Sequence, residues 1–137
     1  MFISTRGRYA LRVLVDMAEH QRDGYIPLKE IAERQEISEK YLESIVKELV
    51  KNGVVVGVRG KGGGYRLCRR PEDYSIGEVL ELMEGSLAAV ACLAGDAAPC
   101  PKAAECRTLP LWAEYDRLTH EYFYGKKLTE LTARRAD

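Results

Sequence analysis

The chain has 137 residues, 46% of them hydrophobic, and its 21 Lys and Arg residues balance 21 Asp and Glu residues. This length suits one domain, or one domain with an added dimerisation arm. Because the sequence has no apolar run of about 18 residues and no cleavable leader pattern, we expect a cytoplasmic protein without a membrane segment. The charge is unevenly divided, since residues 1–70 carry a net charge of +5 and residues 71–137 a net charge of −5. We therefore expect a cationic half suited to nucleic acid and an anionic half with another role.

The first predicted helix begins at a cap on Ser4 or Thr5 and runs to about residue 21. Its apolar side chains recur every three or four residues and form a wide stripe that is typical of core packing: Tyr9, Ala10, Val13, Leu14, Met17 and Ala18. Three arginines near its start are expected to be solvated charge, with phosphates or an acidic partner as the alternative: Arg6, Arg8 and Arg12.

Residues 28–51 predict two short helices joined by a tight turn. The first breaks at Glu36, and the second opens at Ser38, whose hydroxyl can accept a hydrogen bond from an unpaired amide of the first turn. In the second helix a buried stripe has the spacing i, i+3, i+4 and i+7: Leu42, Ile45, Val46 and Leu49. The opposite face is polar: Lys40, Glu43, Ser44, Lys47 and Lys51. This pattern indicates a helix-turn-helix whose second helix enters a major groove.

A β-hairpin is predicted directly after these helices. Gly53 is expected to end the second helix in a left-handed conformation, and strands at 54–58 and 65–68 are joined by a glycine-rich turn at 60–64. Five basic residues and no acidic one occur from 59 to 70, which suits phosphates or a minor groove: Arg59, Lys61, Arg66, Arg69 and Arg70. Tyr25 and Ile26 are expected to add a short strand beside this wing.

Two further helices follow the wing. Ser75 and Glu78 have the spacing of a capping box, which predicts a helix that Gly85 closes. A longer helix is predicted over 109–124, with Pro110 in its first turn. Four apolar residues in it recur at the 4-3-4 spacing of a two-helix seam: Leu111, Tyr115, Leu118 and Tyr122. We expect this stripe to pair with a second copy of the chain, with packing on the first helix as the intramolecular alternative.

The segment 86–108 has no helix or strand period and contains Cys92, Cys100 and Cys106. A loop of this length is uncommon without a function, and thiolates suit zinc or iron–sulfur clusters. Structural zinc prefers close cysteine pairs, whereas a cluster tolerates wider spacing. The spacing therefore ranks an iron–sulfur cluster first, a redox disulfide second and zinc third, with three unrelated buried cysteines as the alternative. Cys68, at the end of a wing strand, is expected to be a small core residue.

Residues 4–12, 28–43 and 58–65, together with the three-cysteine loop, resemble the IscR, NsrR, RirA and CymR family of homodimeric, winged-helix bacterial transcription regulators. The resemblance implies that the three cysteines of this loop hold a cluster of undetermined nuclearity. It also implies that these residues face DNA: Ser38, Lys40, Tyr41, Glu43 and Ser44, with Arg59, Gly60 and Lys61 at the wing tip. We add Lys47, because it lies on the same polar helix face.

The fourth cluster ligand is left open by two departures from the family pattern. IscR-like members have a histidine three residues after the last cysteine, where this chain has Leu109. NsrR-like members use an acidic residue in the first helix of the partner subunit, where this chain has Arg8. Three residues are candidates on their chemistry alone: His120, Asp96 and Glu105.

The predicted fold is mostly α-helical with a small β-hairpin wing. It comprises a winged helix-turn-helix DNA-binding domain at 1–85, a cysteine-bearing cluster loop at 86–108 and a dimerisation helix with its tail at 109–137. The predicted function is a homodimeric repressor that binds a pseudo-palindromic DNA operator under the control of an iron–sulfur cluster. A cluster-free thiol–disulfide repressor of the same fold, serving redox sensing or cysteine metabolism, is the alternative.

Two other classes of function are less favoured by the sequence. An enzyme is not expected, because the chain has no Ser/His/Asp spacing, nucleotide fingerprint or HExxH motif. The second less favoured function is an interaction module that uses the wing to bind protein.

Overall fold

The computed structural model describes residues 2–133. Within that range the chain forms five α-helices and one antiparallel two-stranded hairpin. The helices are α1 Thr5–Glu19, α2 Leu28–Gln35, α3 Glu39–Lys51, α4 Ile76–Glu84 and α5 Leu109–Tyr124, and the strands are β1 Val55–Val58 and β2 Gly64–Leu67. Short 3-10 turns cover Pro71–Asp73, Ala91–Leu93 and Leu128–Leu131. The element order confirms the predicted winged helix-turn-helix followed by a long C-terminal helix.

Local caps set the ends of the first three helices. Ser4 caps α1, its hydroxyl accepting a hydrogen bond from the Gly7 N–H (3.0 Å), and Ser38 caps α3 in the same way. Glu36 ends α2 in the left-handed region at φ 56°. The first helix ends at Glu19, two residues before the predicted end, because the next residues are exposed and add nothing to the buried stripe.

The hydrophobic core lies among α1, α2, α3 and α4. The predicted stripes of α1 and α3 are confirmed, since Val13, Leu14, Leu42 and Leu49 are fully buried. Burying one such side chain stabilises the fold by about 1.5–3 kcal/mol. The helix-turn-helix is therefore held by apolar contacts that a single chain completes.

The wing is a short hairpin with a third strand of one residue beside it. Val55 pairs with Leu67 and Val58 with Gly64. Strand β1 therefore begins one residue later than predicted and ends as predicted, whereas β2 begins and ends one residue earlier. Ile26 exchanges two backbone hydrogen bonds of 2.8 Å with Tyr65, which confirms the short strand expected there. This close approach requires glycine at 64, because a Cβ would lie 2.3 Å from the Ile26 carbonyl oxygen and φ is 145°.

A buried tyrosine clamps both outer ends of the wing. The Tyr74 hydroxyl donates to the Val54 carbonyl (2.6 Å) and accepts from the N–H groups of Cys68 (2.9 Å) and Arg69 (3.1 Å). Burial raises the pKa of Tyr74. One side chain thus connects the segment between α3 and β1 to the end of β2.

The start of α4 differs from the prediction. Ser75 precedes α4 but its side chain makes no capping bond; the hydroxyl donates instead to the Tyr124 carbonyl oxygen (3.3 Å). Glu78 pairs with Arg69 at 2.6 Å. The predicted capping box is therefore wrong, because the end of α5 and the base of the wing supply other partners for the two side chains.

The segment after α5 packs against the main core. Leu128 is fully buried in the main core, and its N–H donates to the Tyr74 carbonyl oxygen (3.0 Å). Lys127 forms a bridge with Ser75. The segment after α5 thus contributes to the same core as α1 and α4.

Helix α5 has the predicted bounds but contains no buried residue. Its main contact is α4, where the Tyr124 ring lies so close that a Cβ at Gly77 would come within 2.4 Å of it. The intramolecular alternative, packing on α1, is therefore not the main contact observed. The seam residues are exposed: Leu111 61%, Tyr115 45%, Leu118 50% and Tyr122 60%.

Candidate nucleic-acid interface and cysteine loop

The recognition helix α3 lies between the wing and α1. On one flank, Glu43 and Lys47 line a groove together with Arg59 of the wing. On the other flank, Tyr41 meets the ring of Tyr9 edge-on, with centroids 5.8 Å apart. The polar face of α3 is left open between these two flanks. It is therefore the protruding surface that a groove of DNA would receive.

The residues expected to contact DNA from positions 38–47 lie on α3 or at its N-cap and share this surface, whereas Arg59, Gly60 and Lys61 belong to the wing. The side chains of the α3 members are exposed, apart from that of Tyr41, which is half-buried. The Ser38 hydroxyl caps the helix, accepting from the Tyr41 N–H at 3.1 Å. Among residues 2–133, Lys40, Glu43 and Lys47 take part in no ion pair, so their charges are available to phosphates and base edges.

The wing tip carries free positive charge, whereas the wing base does not. Gly60, at φ 91°, and the Gly63 N–H bond to its carbonyl (2.9 Å) form a tight turn that exposes Lys61. At the base, Arg69 meets Glu78, and Arg70 meets Glu72 and Asp73. These acidic residues follow the hairpin in sequence, which is why counting charge from 59 to 70 overstated the free charge.

An ion pair between the buried Asp16 and the partly exposed Arg34 fixes the turn of the helix-turn-helix against α1. The Asp16 carboxylate is fully buried and accepts hydrogen bonds of 2.7–3.3 Å from Arg34 and from Gln35. The bond to Asp16 raises the pKa of Arg34. Removing Arg34 would leave the buried Asp16 carboxylate without its cation, at a cost of about 1–3 kcal/mol, since solvent reaches the Arg34 side of the pair. The sequence analysis missed this pair because Asp16 lies inside an otherwise apolar stripe.

The cysteine loop contains one 3-10 turn, Ala91–Leu93, and no longer regular element between α4 and α5. Cys92 is exposed, and Cys100 and Cys106 are half-buried. The Cys106 sulfur lies 3.5 Å from the Thr108 hydroxyl oxygen, and this hydrogen bond lowers the pKa of Cys106. Cys68 is exposed, so the prediction that it is a core residue is wrong: its backbone is held by Tyr74 while its side chain stays outside.

The three thiols have the chemistry that an iron–sulfur cluster needs, but they are not arranged around one centre. Three thiols come from one loop, which is the ligand type that iron–sulfur clusters take. Across the described range 2–133, however, no three His, Cys, Asp or Glu side chains come together in a way that could hold a metal ion. The loop would therefore have to close before its thiols met at one centre.

The candidates for a fourth ligand are divided between the cysteine loop, which contains Asp96 and Glu105, and α5, which contains His120. Leu109, in the position of the family's histidine, is the first residue of α5. Asp96 and Glu105 are exposed. His120 is half-buried on α5, where its ring Nδ1 donates to the Asp116 carbonyl oxygen (2.8 Å) and the ring stacks on Tyr124.

No helix in the described part of the chain has the length and apolarity needed to cross a bilayer.

Comparison with known proteins places the chain among regulators. The family model Rrf2, described as an iron-dependent transcriptional regulator, matches residues 3–134. The HTH-type transcriptional regulator IscR of Aliivibrio salmonicida is 37% identical over 131 residues, covering 96% of this chain and 77% of that protein. IscR of Photobacterium profundum is 41% identical over 131 residues, covering 96% and 75%.

Solved structures of similar proteins have the same fold. CymR, the global cysteine regulator of B. subtilis, superposes with a TM-score of 0.76 at 30% identity, covering 96% of this chain and 95% of that chain. IscR of T. potens superposes with a TM-score of 0.73 at 31% identity, covering 96% and 85%.

Proposed function

Because the chain belongs to the Rrf2 family of transcriptional regulators, we propose that it is a homodimeric, sequence-specific DNA-binding repressor that acts in the cytoplasm. The observation that carries the proposal is the exposed polar face of α3, open between the wing and α1. The relatives described above are named as regulators, a class without enzymatic activity. DNA binding is therefore the activity that this surface serves.

The proposed contacts divide into two kinds. Cationic side chains would bind phosphates and supply affinity that does not depend on sequence: Lys40, Lys47 and Lys61. Glu43 would accept a hydrogen bond from a cytosine amino group in the major groove, and Arg59 would enter a narrow minor groove. The remaining members of the surface would orient the backbone: Ser38, Tyr41, Ser44 and Gly60.

The exposed stripe on α5 supports a homodimer. A row of apolar side chains at seam spacing needs a covering surface, and a second copy of α5 offers the same pattern. Arg117 beside the seam is already paired with Glu114 and Glu121, so two copies can approach without an uncompensated cation. Two recognition helices about 34 Å apart would then read a pseudo-palindromic operator.

We further propose that Cys92, Cys100 and Cys106 hold an iron–sulfur cluster. The three thiols in one loop and the hydrogen bond that favours the Cys106 thiolate support it, as does membership of a family described as iron-dependent. When bound, such a group supplies a centre that responds to oxygen or iron. Cys106 lies three residues before α5 begins at Leu109, so closing the loop would also move the start of the seam helix.

Protein purified without oxygen tests the cluster. Wild type should be brown, with iron and sulfide in equal amounts, and so should the Cys68→Ala control, which removes an exposed thiol outside the loop. Cys100→Ala should lose both the colour and the iron. Colourless wild-type protein that forms a reversible disulfide would instead identify the thiol switch.

Selection from a random duplex library tests DNA binding. The selected sites should be pseudo-palindromes, and the affinity for them should fall steeply as the salt concentration rises. Failure to enrich any duplex would refute the proposed function.

A further inference from the structure

Arg6, in the first turn of α1, contacts the recognition helix directly. Its Nη1 and Nη2 groups donate to the Ser44 hydroxyl oxygen and to the Ser44 carbonyl oxygen, both at 3.0 Å. The Ser44 hydroxyl in turn donates to the Tyr41 carbonyl oxygen (2.8 Å). The guanidinium is thus held against the middle of α3, at the edge of its exposed face.

The charge of Arg6 is not neutralised within the described chain. None of the ion pairs among residues 2–133 includes it, whereas Arg22, Arg34 and Arg69 each meet a carboxylate. A guanidinium has five N–H donors, and Ser44 accepts from two of its nitrogens. Arg6 therefore has donors and a full positive charge to offer an external anion.

Arg6 lies on the flank of α3 opposite the wing. At 100° per residue, Glu43 and Ser44 point to opposite sides of the direction of Lys47. Glu43 faces the groove that Arg59 lines, and Ser44 faces α1. A helix in a major groove about 12 Å wide has a sugar–phosphate strand on each side. With the wing against one strand, Arg6 would lie on the side of the other strand.

We propose that Arg6 is a phosphate-binding residue of the DNA interface, that it binds the strand on the flank away from the wing, and that Ser44 positions it. The inference rests on the proposed function. The site is preorganised, because two hydrogen bonds hold the Arg6 guanidinium on Ser44 and the packing of Tyr9 on Tyr41 fixes α1 beside α3. Little freedom remains to be lost on binding.

This assignment gives Ser44 a role without base readout. Its hydroxyl already donates to Tyr41 and accepts from Arg6. Ser44→Ala should therefore weaken binding to all operator variants by a similar factor, whereas a base reader would change the preference at one position.

The test compares Arg6→Ala with Arg8→Ala in the full-length protein, using one selected duplex at several salt concentrations. Arg8 is a matched control, since it lies in the same turn, points about 200° around the helix and, among residues 2–133, its side chain hydrogen-bonds Thr5 alone. Because the proposed homodimer carries Arg6 twice, Arg6→Ala should weaken binding about tenfold per copy at low salt. It should also reduce the slope of log K against log salt by about 1.8, which is twice the value of about 0.9 expected for one phosphate contact. Arg8→Ala should leave the slope unchanged.

Arg6→Gln separates the charge from the contact with Ser44. Glutamine keeps a donor toward Ser44 but lacks the charge, so it should show the same loss of slope, and it stands in for Arg6→Ala if that variant does not fold. An unchanged slope in folded Arg6→Gln, or a change of base preference at one position, would overturn the inference while leaving the proposed function intact. Wild-type protein without salt-dependent duplex binding would instead remove the proposed function itself.

Discussion

In the helix-turn-helix, Leu42 and Leu49 are fully buried, whereas in α5 Leu111 and Leu118 are 61% and 50% exposed. Both helices present apolar side chains at helical spacing, but only the first finds partners within its own chain. The difference indicates that the DNA-reading part is complete in one copy, while α5 presents an apolar surface that remains to be covered. Packing of a second copy is the covering that we propose.

Two aspartates show the same contrast for polar groups. Asp16, in α1, is fully buried and is satisfied by Arg34 and Gln35. In α5, by contrast, the Oδ1 atom of Asp116 is buried and has no hydrogen-bond partner among the described residues. Buried polar atoms in native proteins are rarely left unpaired. The α5 side therefore lacks partners for polar as well as apolar groups.

The largest expected effect on stability distinguishes a core leucine, Leu42, from an exposed leucine of α5, Leu118. Leu42→Ala should lower the free energy of unfolding by about 2–5 kcal/mol, because it leaves a cavity in the core. Leu118→Ala should change the unfolding of the monomer by less than about 0.5 kcal/mol but raise the dimer dissociation constant about tenfold. Urea unfolding and sedimentation equilibrium measure the two quantities. Equal losses of unfolding free energy in both variants would remove the contrast between the two regions.

A pair of tyrosines gives the next largest difference. Tyr74→Phe should destabilise the fold by about 1–3 kcal/mol, because the Val54 carbonyl and two wing N–H groups lose their partner. Tyr115→Phe, at an exposed seam position, should change stability by less than about 0.5 kcal/mol. Chemical denaturation compares them. A neutral Tyr74→Phe would show that the wing is held without its clamp.

Glu43 and Cys100 test whether DNA readout and cofactor binding are separable. Glu43→Ala should lose about 1–3 kcal/mol of discrimination at one base pair, with a smaller change in overall affinity and no change in iron content. Cys100→Ala should remove the iron. Competition binding with single-base operator variants, together with iron analysis, measures both. Uniform weakening of Glu43→Ala on all sequences would show that Glu43 does not read a base.

The smallest effect concerns alkaline pH. Burial, followed by the hydrogen bond to Glu81, raises the pKa of Tyr124 from 10.0 to about 12. Since folding favours the neutral phenol, the stabilisation is full below about pH 10 and is lost as the pH rises through about 12. Tyr124→Phe should flatten this part of the decline of the urea midpoint with pH. An unchanged decline would assign it to other groups, such as Tyr74, whose pKa is also raised.

Much of the fold was predictable because its signals are local. The 4-3-4 spacing and Pro110 predicted α5 at its observed bounds, and the serine at 38 predicted the cap of α3. The exposure of the candidate DNA surface was also predictable, since the polar face of a helix and a glycine-rich turn are visible within a few positions of the sequence. The free charge of the wing was only partly predictable, because Glu78 neutralises Arg69 from another element.

The sequence by itself determined which helices form, where the hairpin turns and which thiols share a loop, because caps, turns and periodic burial depend on neighbours within about one or two helical turns. Only the tertiary structure decided that Arg6 meets Ser44, that Tyr74 holds Val54, and that Leu128 returns to the main core. These partners are tens of residues apart in the chain. They meet because packed helices and strands bring particular faces together. Short-range sequence patterns do not predict which faces pack against each other.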